Sequence, residues 1–206
     1  MKYLRYIAII IALVGLFSCN NNSEKDVEAI TASKVKKAEN QAIPEMSIYN
    51  LPSHWTTQNG EEIELKDLQG KVVVMVMIYT TCKAACPRLV ADMRNIEKQV
   101  PEEKKDDVQY VFVSIDPETD TPERLKAFSK ENEMEDEKWL FLRGTEADTR
   151  EFAAVLAVNY KEISPMDFSH SNIISVFDQR GEMVHQQEGL GVDNKETIAA
   201  IIELAK

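Results

Sequence analysis

Lys71-Val72-Val73-Val74-Met75-Val76-Met77-Ile78-Tyr79-Thr80-Thr81-Cys82-Lys83-Ala84-Ala85-Cys86-Pro87 decides the fold. From Val72 to Ile78 every residue is apolar, and β-branched residues dominate. A short run of this kind suits a strand buried on both faces, at the centre of a sheet covered by helices. The threonines then break the run. Ala84 to Val100 follows with Leu89, Met93 and Ile96 at helical spacing. Pro87 falls in the first turn, where its missing amide costs nothing.

The alternation continues on both sides of this stretch. Upstream, Ser53 to Lys66 holds Asn59-Gly60 between two short strand-like pieces, a hairpin signal. Downstream, Val108 to Ile115 reads as a second buried strand, and Asp120-Thr121-Pro122-Glu123 as a helix start in which Asp120 or Thr121 supplies the cap. Trp139 to Leu142 is a short strand and Glu146 to Val158 a helix. Ile173 to Asp178 and Glu182 to Gln187 pair through Gln179-Arg180-Gly181, and a terminal helix opens at Lys195. This order predicts an α/β, thioredoxin-like fold: a central mixed sheet flanked by helices, with an N-terminal β-hairpin extension.

Cys82 and Cys86 stand where the buried strand turns into a helix, at the strand edge where sites collect in open sheets. Helix amides there favour a thiolate, and Lys83 and Arg88 add positive charge. Such a pair can exchange disulfides, form a structural disulfide or bind a soft metal. Three residues separate the cysteines, one more than in the usual thioredoxin-type pair, which lets both sulfurs face one external point. Two thiolates suit Cu(I). His170 precedes the Ile173 strand, at the place that packs over the cysteine loop in thioredoxin-like folds, and is the third candidate ligand, able to support Cu(II) as well. Asp116, at the end of the second strand, is a candidate for the second coordination shell. His54 and His185 read as solvated surface, Met75, Met77 and Met93 as core.

The 206 residues suit one domain plus a tail, and the net charge of -11 argues against a nucleic-acid surface. Lys2 and Arg5 precede an aliphatic run from Ile7 to Phe17, too short to span a bilayer comfortably and suited to a signal peptide. Leu16-Phe17-Ser18-Cys19 resembles a bacterial lipobox, with Cys19 as the lipidated residue. The expected organisation is a signal peptide over 1–18, a polar membrane tether over 19–43 and the folded domain over 44–206. The expected location is outside the cytoplasm, lipid-anchored and facing the periplasm or the cell exterior.

The anchor, the Cys-three-residues-Cys-Pro loop, the segment Asp116-Pro117-Glu118-Thr119-Asp120-Thr121-Pro122 and the later histidine together resemble the Sco/SenC family. The resemblance implies copper held by Cys82, Cys86 and His170. It also implies a chaperone role in assembling the copper centre of cytochrome c oxidase, whose copper subunit, or another copper or thiol assembly protein, is the implied partner. Two departures stand out: Lys83 follows the first cysteine where many relatives have proline, and Ser169 replaces the aspartate common before the family's histidine. The main competing reading is a thiol-disulfide oxidoreductase using Cys82 and Cys86 as a redox pair, which does not need His170. A peroxidase-like enzyme and a zinc site are the others.

Overall fold

The computed structural model describes residues 43–164 and 167–206. The expected signal peptide, Cys19 and nearly all of the tether lie outside the described residues. Among the described residues the chain runs β1 (His54–Thr57), β2 (Glu62–Glu64), β3 (Val72–Ile78), α1 (Cys86–Gln99), β4 (Val108–Ser114), α2 (Pro122–Glu131), β5 (Trp139–Arg143), α3 (Glu146–Val155), β6 (Tyr160–Ser164), β7 (Asp167–His170), β8 (Ile173–Phe177), β9 (Met183–Glu188) and α4 (Lys195–Leu204).

Seven strands form one mixed sheet in the order β2-β1-β5-β4-β3-β8-β9. All seven residues of β3 are buried, as the apolar run requires of a central strand. It pairs in parallel with β4 from Val72↔Val108 to Ile78↔Ser114, and antiparallel with β8 from Val73↔Phe177 to Val76↔Ile174. α4 packs over β3, β8 and β9 and meets α1. Phe128 of α2 lies edge-on to Phe141 of β5, and Phe152 of α3 edge-on to the fully buried Trp55 of β1. This is the thioredoxin-like arrangement that the order of elements predicts.

The Asn59-Gly60 hairpin forms. Gly60 takes the positive φ of 80° that the turn needs, and the Thr57 hydroxyl accepts the Asn59 and Glu61 amides. Its β1 strand also pairs with β5, so the hairpin extends the main sheet. α3 ends three residues earlier than the spacing predicts. Ala157 turns left-handed (φ 54°), and the Val158 amide reaches back to the Ala153 carbonyl, closing the helix.

The largest departure is β6–β7, a separate two-stranded antiparallel sheet where no strand is expected. His170 is the last residue of β7, placed by this extra hairpin and not by β8 itself.

Candidate metal centre

The register of β3 explains why the site assembles. Parallel pairing ends β3 and β4 at the same edge, with the Ile115 amide bonded to the Ile78 carbonyl. Antiparallel pairing brings the entry of β8 to that edge too, since Ile174 lies opposite Val76. The segments after β3, after β4 and before β8 therefore converge. They carry the cysteines, Asp116 to Asp120, and His170 respectively.

α1 begins without a side-chain oxygen at its N-cap, Ala85. Its free amides are met instead by sulfur: the Cys86 amide donates to Cys82 Sγ at 3.4 Å. Burial alone would raise the Cys82 thiol. The Cys86 and Ala84 amides and the Tyr79 hydroxyl outweigh it, and its pKa falls below the ordinary thiol value. Cys86 goes the other way. It is fully buried, and burial, reinforced by the charge of Cys82, pushes its thiol well up. Both are free thiols, and Cys82 is only partly buried. Iodoacetamide at neutral pH should therefore mark Cys82 first, by about tenfold or more, because thiolate fraction and access both favour it. Peptide mass spectrometry over time reads this; equal rates would contradict the asymmetry.

Cys82, Cys86 and His170 offer ligand atoms that all lie within 4.8 Å of one another. His170 Nδ1 donates to the Ser171 carbonyl at 2.9 Å, which leaves Nε2 with the lone pair. That Nε2 is buried and meets no hydrogen-bond partner among the described residues. Burial also lowers the His170 pKa, favouring the neutral ligand form. A buried, unpartnered imidazole lone pair beside two sulfurs is a donor set whose chemistry fits a soft metal ion.

Asp116 stays outside this cluster. It is buried, its Oδ1 accepts the Thr119 amide at 3.3 Å, and it lines a cavity of about 510 Å³ with Pro117, Tyr160 and Lys161. Cys82 lines a different cleft, of about 600 Å³, with Lys83, Arg124 and Asp167. The carboxylate beneath the cysteine loop is Asp120, which is fully buried. It accepts Ser114 Oγ at 2.6 Å and both the amide and the hydroxyl of Thr80. Capping of α2 falls to Thr121, whose hydroxyl accepts the Arg124 amide. Arg124 Nε in turn donates to Thr80 Oγ1 at 3.1 Å.

Two further residues escape a reading of the sequence. Tyr79 looks like the last apolar residue of a buried strand, yet its hydroxyl donates to Asp167 Oδ1 at 2.6 Å. His185 is half-buried, with Nε2 3.0 Å from Thr197 Oγ1 of α4, and so is a packing residue; His54 is exposed as expected. No helix among the described residues is long and apolar enough to cross a membrane.

Comparison with known proteins agrees with this geometry. The SCO1/SenC family model matches residues 43–206. A SCO1 protein homolog of Bacillus subtilis is 33% identical over 103 residues, 50% of this chain and 53% of that protein. The chain thus spans about half the length of the curated relatives it matches first. The crystal structure of a SCO1/SenC family lipoprotein from Bacillus anthracis aligns with TM-score 0.69 and 29% identity over 77% of this chain and 96% of that one. The structure of Bradyrhizobium japonicum ScoI with copper bound aligns with TM-score 0.60 and 25% identity over 75% of this chain and 98% of that one. With four-fifths of its length matched by the family model, the chain belongs to the SCO1/SenC family.

Proposed function

We propose that this protein is a membrane-tethered copper chaperone that holds one copper ion through Cys82, Cys86 and His170. The observation that carries this is the buried, unpartnered His170 Nε2 within 4.8 Å of both sulfurs. Pure thiol exchange has no use for that nitrogen. Two sulfurs and one imidazole suit Cu(I), and the imidazole supports Cu(II) after oxidation. Copper bound to the Bradyrhizobium relative supports the choice of metal.

The chain's own residues divide the work. Cys82, partly buried and with a lowered pKa, is the sulfur an incoming partner meets first. Cys86 is fully enclosed and retains the ion until Cys82 has been exchanged. The partner we propose is the copper subunit of cytochrome c oxidase, the assembly in which the family takes part. The Cys19 lipobox and the polar tether would hold the domain outside the cytoplasm and within reach of a membrane-bound partner. The Bacillus anthracis relative is described as a lipoprotein, which supports this anchor.

The test is anaerobic Cu(I) titration of the reduced protein against a competing chelator. One copper per chain is expected, lost in Cys82→Ser and weakened with an altered spectrum in His170→Ala. No specific binding, with disulfide exchange that ignores His170→Ala, would replace this reading with a thiol-disulfide oxidoreductase.

A further inference from the structure

The hairpin that delivers His170 needs an anchor. Two-stranded hairpins are marginal in isolation, and β6–β7 stands apart from the seven-stranded sheet. Every described side chain of β6 is exposed or half-exposed, so burial of that strand holds little. Along β7 the side chains alternate: Asp167 and Ser169 are exposed, Phe168 and His170 half-buried on the other face.

Tyr79 meets that inner face. It ends the buried run of β3, is 2% exposed, and stands three residues before Cys82. Its ring lies edge-on to Phe168 with centroids 5.2 Å apart, and edge-on to His170 at 5.8 Å. Its hydroxyl donates to Asp167 Oδ1 at 2.6 Å, near the Phe168 carbonyl at 3.2 Å, and accepts the Phe168 amide at 3.3 Å. One side chain thus grips the first two residues of β7 by hydrogen bonds and the last by its ring. A hydrogen bond to a carboxylate is among the stronger kinds, and this one joins the sheet core to the hairpin.

We propose that Tyr79 and Asp167 form a clamp that closes β6–β7 over the cysteine loop and so positions His170 Nε2 toward the sulfurs. Both are positioning residues. Asp167 acts on the metal through the histidine alone, whereas Tyr79 acts through the histidine and also on the neighbouring Cys82 sulfur. Asp167→Ala is therefore the variant that isolates the clamp. The consequence for metal binding rests on the three-donor copper reading. The clamp itself does not.

Tyr79→Phe removes the hydroxyl and keeps the ring. In the metal-free protein, hydrogen exchange at the Phe168 and Ser171 amides should quicken about tenfold, because the first loses its acceptor and the second closes the hairpin base onto the Asn159 carbonyl. Cu(I) affinity should fall about tenfold while one copper still binds, and the Cu(II)–thiolate absorption should move toward that of His170→Ala. Asp167 is exposed, so its substitutions leave the core intact. Asp167→Ala should reproduce these changes, and Asp167→Asn, which keeps a carbonyl acceptor for the tyrosine, should restore most of them. The Tyr79→Phe/Asp167→Ala double variant should lose no more than the larger single loss, as expected of two ends of one contact. Native exchange and affinity in Tyr79→Phe, or losses that add in the double variant, would overturn the clamp. Absence of copper binding in the unaltered protein would remove the copper reading alone, and the exchange rates would still judge the clamp.

Discussion

Loading the reduced protein with Cu(I) should raise its melting temperature by about 10 °C, and Cys86→Ser should erase that gain. A ligand that binds only the native state stabilises it by RT ln(1 + [L]/Kd), about 4 kcal/mol at a thousandfold excess over Kd. For a chain of this size each kcal/mol shifts the midpoint by about 2–4 °C. The native state alone brings Cys82, Cys86 and His170 within 4.8 Å of one another, so the condition of native-only binding is nearly met. The unfolded chain still presents two close thiols, which trims the gain. Cys86 is fully buried, so its serine variant has a lower midpoint even without metal. The comparison is therefore between loaded and metal-free forms of each protein, by scanning calorimetry. An unchanged midpoint on loading, with binding verified separately, would mean that the ion sits on preformed local structure and not on the assembled site.

Asp120→Ala should cost about 3–5 kcal/mol of stability, read from the midpoint of urea unfolding. The substitution leaves the Ser114 hydroxyl and both donors of Thr80 without their acceptor in a buried place, and each unsatisfied buried donor costs about 1–3 kcal/mol. Thr80 stands two residues before Cys82, so the loss also loosens the metal loop. Burial raises the Asp120 pKa, a tendency the Ser114 and Thr80 hydrogen bonds only partly offset and nearby Asp116 adds to. The sign follows. A carboxyl whose folded pKa lies above its unfolded value of about 3.9 takes up protons on folding between those two values. Stability relative to the non-titrating Asp120→Ala therefore falls as pH rises through that window and levels off above it. A gap that widens with rising pH, or a loss below about 1 kcal/mol, would contradict this role.

Local chemistry was enough to read most of the fold. The apolar run of β3, the Asn59-Gly60 turn and the Pro87 helix start each carry a cause that acts within a few residues, and each forms where expected. The two cysteines were legible because their spacing and their place after a buried strand act together. β6 was not. Its residues Tyr160-Lys161-Glu162-Ile163-Ser164 show no buried face, because the hairpin is held from its β7 side by a tyrosine distant in sequence. The Tyr79 hydroxyl was hidden for the matching reason: at the end of an apolar run, a tyrosine looks like one more core residue. Asp120 and Thr121 divided their roles in a way only the fold decides. Both are good caps, yet the buried carboxylate went to the cysteine loop and the hydroxyl to the helix.

The position of β8 sets an order of events. Both sulfurs belong to the first half of the folded chain, whereas His170 comes after β4, α2, β5, α3 and β6. It reaches them only once the β6–β7 hairpin has closed on Tyr79 and β8 has docked against β3. A chain emerging from its N-terminus therefore shows a dithiol well before it can show a three-donor site. Closing that long-range contact is a slow step in folding, since the entropy of the intervening loop is lost before the pairing rewards it. Metal captured early would sit on two sulfurs alone and remain open to competing thiols. Tight retention begins when the last strands arrive, so completion of the sheet governs retention of the metal and not its first capture.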